Sequence, residues 1–329
     1  SIFVARDHFG VKPLYYQVRS NSLYLSSEIK SFDLSCSELD FESIDRYLTF
    51  LWSPGSGTPV SDVSKFPPGH AAWIANDCKF NTFKWYSLPS CSSSFQFNES
   101  WYINHTRNLL HRAVRRQCLA DVPVGAFLSG GLDSSSICSF ARDYSADFRA
   151  FTISCDSATG NDGFSNDLPY SKLVARHLDV PLDIINVRPS QFIDRIDQMV
   201  YLLDEPLADP ASLNVYFISQ LARDQGFKVL LSGVGGDDLF TGYRRHLALS
   251  SESLWSWLPR SFRIKLHRCT NCLPSNNPFL RRIKKSFSAA HLEGDDRLIN
   301  YFRWIDRADL FPLYTTEFRD ALGQARAED

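Results

Sequence analysis

The spacing of apolar and polar positions changes character along the chain. From residue 1 to 86 the apolar runs are short, as in Ile2–Ala5, Leu14–Val18 and Leu23–Leu25, and Gly, Pro, Asn and Ser separate them. That pattern predicts strands bounded by turns. A further pair, His70–Ala75 and Phe80–Tyr86, flanks Asn76-Asp77 and predicts a hairpin. Ser87–Ser94 reads SLPSCSSS, polar and without periodicity, and marks a domain boundary. From about residue 98, Tyr102, Thr106, Leu109, Leu110, Ala113 and Gln117 recur at helical spacing, opposite Arg107, His111, Arg112 and Arg115. The basic stripe reads as a solvated helix face rather than a phosphate site.

Four strand candidates follow: Val124–Leu128, Arg149–Ser154, Leu182–Val187 and Lys228–Leu231. Helical patterns near Ser134–Tyr144, Tyr170–Leu178 and Ala211–Gln225 separate them. Such alternation predicts a parallel sheet covered by helices on both faces. Ligands of these sheets sit beyond the carboxyl ends of the strands.

Composition narrows the class. With 329 residues, 44% of them hydrophobic and 22% charged, the chain can bury a core, which argues against disorder, collagen and coiled coil. The 35 basic residues nearly balance 37 acidic ones, arguing against a chain-wide field for nucleic acid or membrane surfaces. No apolar run approaches the roughly 20 residues that cross a bilayer, and the N-terminus lacks the order of a signal peptide. Eight cysteines in a chain this long favour a reducing, cytoplasmic setting. Cys269 and Cys272 have C-x-x-C spacing beside His267. There is no second pair for a zinc site and no preceding strand for a redox motif, so they read as plain reduced cysteines. Ser1 is followed at once by a strand-like run, and the only methionine is Met199. A piece of a longer or processed polypeptide is therefore expected.

Two strands end in turns that carry chemistry. The first, Val124–Ser136, reads VGAFLSGGLDSSS. Gly130 and Gly131 let the backbone approach a ligand closely, and the following helix start favours an anion. Ser129, Ser134 and Ser135 add hydroxyl donors suited to phosphate oxygens. Asp133 would repel phosphate unless a cation stood between them, and Mg²⁺ resolves this. The loop is not a Walker A motif, because G-x-x-x-x-G-K-[ST] is absent. The second turn, Ser232–Tyr243, reads SGVGGDDLFTGY and adds Asp237 and Asp238. If the two strands are neighbours, Asp133 and Asp237 could hold one metal; an ordinary capped turn is the alternative. A third stretch, Asp204–Asn214, reads DEPLADPASLN. Its acids either cap the next helix or bind an amine or second metal.

Together these residues resemble a known family. SGGLDSS at Ser129–Ser135 is similar to the signature of pyrophosphate-loop (PP-loop) synthetases, which cleave ATP between the α- and β-phosphates. ARDHFGVKPLYY at Ala5–Tyr16 and SSEIKSF at Ser26–Phe32 resemble the later part of the glutaminase domain of glutamine-hydrolysing asparagine synthetases. DEPLADPAS and LSGVGGDDLFTGYRRH resemble the synthetase half of that family. The resemblance implies an α/β fold: a parallel-sheet PP-loop ATP-pyrophosphatase domain (adenine nucleotide alpha hydrolase-like) over 101–329, incomplete at its C-terminus. The β-rich tail of an Ntn-type glutaminase domain would cover 1–88, with a linker at 89–100. It implies adenylation of aspartate by Mg-ATP, release of pyrophosphate, and displacement of AMP by glutamine-derived ammonia. Leu128, Ile153, Ser232 and Gly233 would line the ATP site, Ser129–Ser135 would grip pyrophosphate, and Asp133 and Asp237 would hold Mg²⁺. The expected partners are aspartate, ATP and glutamine or ammonia, with no nucleic acid and no membrane; a homodimer is the candidate assembly.

Three departures mark this chain. Val234 stands where the family usually has glutamate in SGEG, and Asp238 where glutamate is common. Valine cannot accept a proton or pair with an amine, so an amide-forming ligase with another carboxylate acceptor is the alternative. A second, of another class, is a nucleotide-binding regulatory protein without catalysis. The family's N-terminal glutaminase cysteine lies upstream of the segment that opens this chain, so Ser1 is not read as a nucleophile. The family's later helical segment, with its phosphate-contacting lysine, lies beyond residue 329.

Overall fold

In the computed structural model, which describes residues 1–75, 80–89, 97–145, 147–155, 167–209, 211–274 and 277–325, the alternating pattern becomes three sheets. Strands β1 (Ile2–Ala5), β5 (His70–Ile74) and β6 (Phe80–Lys84) form one antiparallel sheet, and β2 (Tyr15–Arg19), β3 (Ser22–Ser26) and β4 (Val63–Lys65) form another. β5 and β6 pair as the predicted hairpin does, His70 opposite Lys84 and Ile74 opposite Phe80; Asn76-Asp77 lie outside the described residues. Beneath β2 and β4, Tyr15, Ile29, Phe32 and Val63 share a small core.

The third sheet holds β7 (Val124–Phe127), β8 (Ala150–Cys155), β9 (Leu182–Val187) and β10 (Val229–Leu231), all parallel, in the order β10-β7-β8-β9. Its inner strands alternate small and large residues. Ala126, Leu128 and Ala150 face Val114, Cys138, Ala141, Ala175 and Leu178. Phe151 faces the opposite side, with Ile218, Ala222 and Phe227. Helices cover both faces, as a buried parallel sheet requires.

The helices in chain order are α1 (Phe41–Phe50), α2 (Glu99–Gln117), α3 (Leu132–Ala141), α4 (Leu168–Leu178), α5 (Pro189–Ile193), α6 (Ile196–Leu203) and α7 (Ala211–Asp224). Then come α8 (Gly236–Leu239), α9 (Arg244–Ser251), α10 (Arg260–Asn271), α11 (Pro278–Ser286), α12 (Gly294–Asn300), α13 (Arg307–Leu310) and α14 (Thr316–Ala325). α1 has a start signal that apolar spacing alone misses: Asp40 accepts from Ser43 N–H at 3.0 Å, an N-cap. α2 is present, but its buried face differs from expectation. Val114 is buried, with Cys118 packed beside it and His111 half-buried, whereas Tyr102, Leu109, Ala113 and Gln117 are exposed. Arg107, Arg112 and Arg115 lie on solvent, as a solvated basic face should.

Two compact units result: Ser1–Gly233 together with the stretch from Thr316, and Val234–Thr315. The second is helical and gathers around Arg263, a buried guanidinium. It donates to Leu258 O, Ala290 O and Leu292 O at 3.0–3.1 Å and pairs with Glu293 at 2.9 Å. A buried charge is tolerable only when its donors are satisfied in this way. Cys269 and Cys272 are exposed free thiols at the end of α10.

Candidate functional site

The order β10-β7-β8-β9 reverses direction between β7 and β10. Successive strands run outward from β7 through β8 to β9, and the chain then returns to the other side of β7. At such a switch point the loops diverge and leave a crevice beyond the carboxyl ends. The two glycine-rich turns follow β7 and β10, whose registers place Leu231 beside Ala126.

The first turn is shaped by close packing. Gly130 has φ +80°, and a Cβ there would lie 2.6 Å from the Ser171 nitrogen and the Tyr170 carbonyl carbon. Only glycine fits this left-handed position against the start of α4. Ser171 Oγ reinforces the contact by donating to Leu128 O at 2.9 Å. Sequence reasoning missed Tyr170 and Ser171 as supports, because nothing local in α4 reports what packs on it.

Beyond Gly130 the backbone enters α3 at Gly131, the N-cap, which supplies no side chain to the first turn. Hydroxyls order the turn: Ser129 Oγ and Ser134 Oγ lie 3.0 Å apart, and Gly131 N–H donates to Ser129 Oγ at 3.3 Å. Ser135 Oγ is buried and has no hydrogen-bond partner among the described residues. The helix start therefore offers N–H donors and one orphaned hydroxyl, the donor set that suits an anion. Asp133, half-buried, sits in the first helical turn.

The second turn meets the first directly. A Cβ on Gly233 would come within 2.7 Å of Ser134 N and 2.9 Å of the Asp133 carbonyl carbon. Ser232 and Gly233 thus lie beside the α3 N-terminus. Leu128 is buried in the core under α3 and α4, while Ile153 is partly buried on the opposite face, packed with the Phe151 cluster. In the helical unit, Asp237 and Asp238 open α8 and are exposed; Asp238 pairs with Arg245 at 3.0 Å, and a Cβ on Gly242 would run into the Asp237 carboxylate. Val234 is 92% exposed. Among the described residues no three His, Cys, Asp or Glu side chains converge as a metal cluster. The hard oxygen donors of Asp133 and the serines nevertheless fit Mg²⁺ shared with phosphate oxygens.

The third stretch divides its acids between two tasks. Asp209 Oδ1 accepts from Ala211 N–H at 2.9 Å and opens α7, the capping alternative. Asp204 pairs with Lys30 at 3.0 Å, and Glu205 with Lys65 at 2.7 Å, both partners lying in the β-rich region.

The family model described as asparagine synthase matches residues 105–326, and that of a glutamine amidotransferase domain matches residues 1–86. Asparagine synthetase [glutamine-hydrolyzing] 1 of Bacillus subtilis is 33% identical over 244 residues, covering 74% of this chain and 37% of the relative. A putative asparagine synthetase [glutamine-hydrolyzing] 2 of Methanocaldococcus jannaschii is 30% identical over 253 residues, 75% of this chain and 48% of the relative. Amidase chry2 of Gibberella zeae is 26% identical over 273 residues, 78% and 40% of the two chains. The chain thus spans less than half the length of these relatives. Among solved structures, an NH3-dependent NAD synthetase from Campylobacter jejuni aligns with TM-score 0.31 and 11% identity over 58% of this chain and 97% of that one.

Proposed function

Since the chain belongs to the asparagine synthase family, we propose that it forms an amide by cleaving ATP between its α- and β-phosphates at the crevice between β7 and β10. One observation carries this reading: the start of α3 has no side-chain cap, holds the unpartnered buried Ser135 Oγ, and is approached by Gly233 without an intervening side chain.

In this reading the N–H groups of Leu132–Ser134 and the serine hydroxyls bind the pyrophosphate as it leaves, where charge builds up. Leu128, Ile153, Ser232 and Gly233 line the nucleotide site, and Gly130 fixes the turn. Asp133 is the carboxylate that meets Mg²⁺, and Asp237 is proposed as a second magnesium carboxylate. Magnesium supplies charge neutralisation on the phosphate oxygens. Aspartate is the proposed acceptor. Its side-chain carboxylate oxygen bonds to the α-phosphorus as the bridging α–β bond breaks, giving β-aspartyl-AMP and pyrophosphate. Ammonia, drawn from glutamine in the whole protein, then displaces AMP and yields asparagine, a proton passing to solvent. We further propose a glutaminase-type region at 1–88, a linker at 89–100 and the synthetase region from 101, with the reaction taking place in the cytoplasm.

A specific observation favours a second reading of the acceptor: Val234 replaces the glutamate of the family pattern and is exposed. A carboxylate other than aspartate is then adenylated by the same machinery. Pyrophosphate release from Mg-ATP, measured with and without aspartate and ammonium and with Asp133→Asn as blank, tests both. Release that depends on aspartate supports the first reading. Release that occurs only with other carboxylic acids supports the second. Hydrolysis that Asp133→Asn leaves untouched refutes the site.

A further inference from the structure

Helix α6 ends in strain. Asp204 has φ 59° and ψ −55°, and Glu205 N–H donates to Leu203 O at 2.7 Å. This is a γ-turn centred on a residue with a Cβ, a conformation that persists only where its surroundings hold it.

The surroundings come from the β-rich region. Lys30 Nζ lies 3.0 Å from Asp204 Oδ1, and Lys30 N–H donates to the same oxygen at 3.2 Å. The Lys30 ammonium also lies 5.2 Å from the Tyr201 ring centroid in α6. Glu205 uses both carboxylate oxygens: Tyr15 OH donates to one at 2.7 Å, and Lys65 Nζ to the other at 2.7 Å. Lys65 Nζ also donates to Ser53 O at 2.6 Å. Further along, Ala208 N–H donates to Leu51 O at 3.0 Å, just before Asp209 caps α7. The Asp204 side chain is 8% exposed and that of Lys65 13%, so these pairs are largely out of water. Removing one partner of such a pair strands a charge.

α7 connects this clamp to the candidate site. Its Ile218 and Ala222 pack in the cluster that includes Ile153. We infer that Lys30, Lys65 and Tyr15 are positioning residues: by holding Asp204 and Glu205 they fix the 204–209 segment and α7, and through α7 the Ile153 wall. Asp204 and Glu205 are then spent on this clamp and do not bind substrate. The step to Ile153 rests on the proposed nucleotide reading; the clamp itself does not.

The test is a double-mutant cycle with Lys65→Met, Glu205→Gln and the pair, plus Lys65→Arg as the conservative variant. Amide exchange of Glu205, Ala208 and Ala211 is read without nucleotide, and the Kd for Mg-ATP separately. Each single change is expected to speed exchange at least about ten-fold, equivalent to about 1.4 kcal/mol. The double variant should exchange no faster than the worse single, because it leaves no stranded partner, and Lys65→Arg should stay near the original rate. Kd should rise alongside exchange in the singles and recover with Lys65→Arg. Unchanged exchange in both singles, or fully additive effects, would overturn the clamp. Faster exchange with an unchanged Kd would overturn the positioning role. If the original chain fails to bind Mg-ATP, the proposed function falls, and exchange alone still decides the clamp.

Discussion

Gly130 and Gly131 are adjacent, yet their surroundings differ, and alanine at each should separate packing from the proposed binding role. At Gly130 the backbone is left-handed, costing a residue with a Cβ about 1–2 kcal/mol. The added atom would also lie 2.6 Å from backbone atoms of Tyr170 and Ser171, which cannot rotate away; such overpacking costs about 1–3 kcal/mol. Gly130→Ala should therefore destabilise the chain by about 2–5 kcal/mol. Gly131 has φ −72°, and a Cβ there would meet, among the described residues, only Ser129 Oγ, at an ordinary contact distance of 3.4 Å. There the weaker N-cap costs about 0.5–1 kcal/mol, offset by about 0.4–1 kcal/mol of lost freedom in the unfolded chain. Urea unfolding at constant slope measures both, and calorimetric titration with Mg-ATP measures binding. Gly131→Ala should keep its stability within about 1 kcal/mol but weaken Mg-ATP binding, since its Cβ would crowd the proposed path of the phosphate. Equal unfolding midpoints for the two variants would refute the packing argument, and unweakened binding by Gly131→Ala would refute close approach at that position.

Three further outcomes are expected. Asp133→Asn and Asp237→Asn should each abolish Mg²⁺-dependent pyrophosphate release while leaving the urea midpoint in place; wild-type rates in both would remove the metal assignment. Val234→Glu should raise aspartate-dependent turnover if aspartate is the acceptor, and no rise favours another carboxylate. In the helical unit, burial and then the nearby His267, whose ring centroid is 4.1 Å away, push the His291 pKa down, against opposing effects of Ser288 and Asp306. With the folded value below 6.5, the unfolded chain takes up the proton first. Stability present above pH 6.5 should therefore fall as pH drops below it, and His291→Gln should flatten that slope in unfolding followed across pH 5–8; an unaltered slope would count against it.

Much of the α/β region was legible because its strands alternate and its turns are punctuated. Val124–Phe127 runs into two glycines, Leu182–Val187 was placed to the residue, and three helices fell where apolar spacing put them. Parallel order was legible too, since helices lie between the strands. The buried face of α2 was not. Its exposed Tyr102 and Leu109 mimic a core stripe, while the contact that buries it is made by Val114 against residues distant in sequence. α5 and α6 were also unforeseen: both are short, and α5 opens on Arg188 rather than on a Ser, Thr, Asp or Asn cap, its Gln191 accepting from Arg188 N–H at 2.8 Å. Among candidate site residues, the serines and glycines of Ser129–Ser135 stand out by density. Lys30, Lys65 and Tyr15 did not, because a salt bridge between residues 140 positions apart leaves no mark on local spacing.

If the start of α3 cradles pyrophosphate, as proposed, pyrophosphate competes with ATP for the chain. Competition calorimetry tests it most directly: Mg-ATP is titrated into the chain and into Ser135→Ala, with and without Mg-pyrophosphate. Pyrophosphate should displace ATP, and Ser135→Ala should weaken both by about ten-fold or more, the loss of a hydrogen bond to a charged group. Displacement of ATP by AMP but not by pyrophosphate, or a Ser135→Ala variant that binds both unchanged, would contradict it.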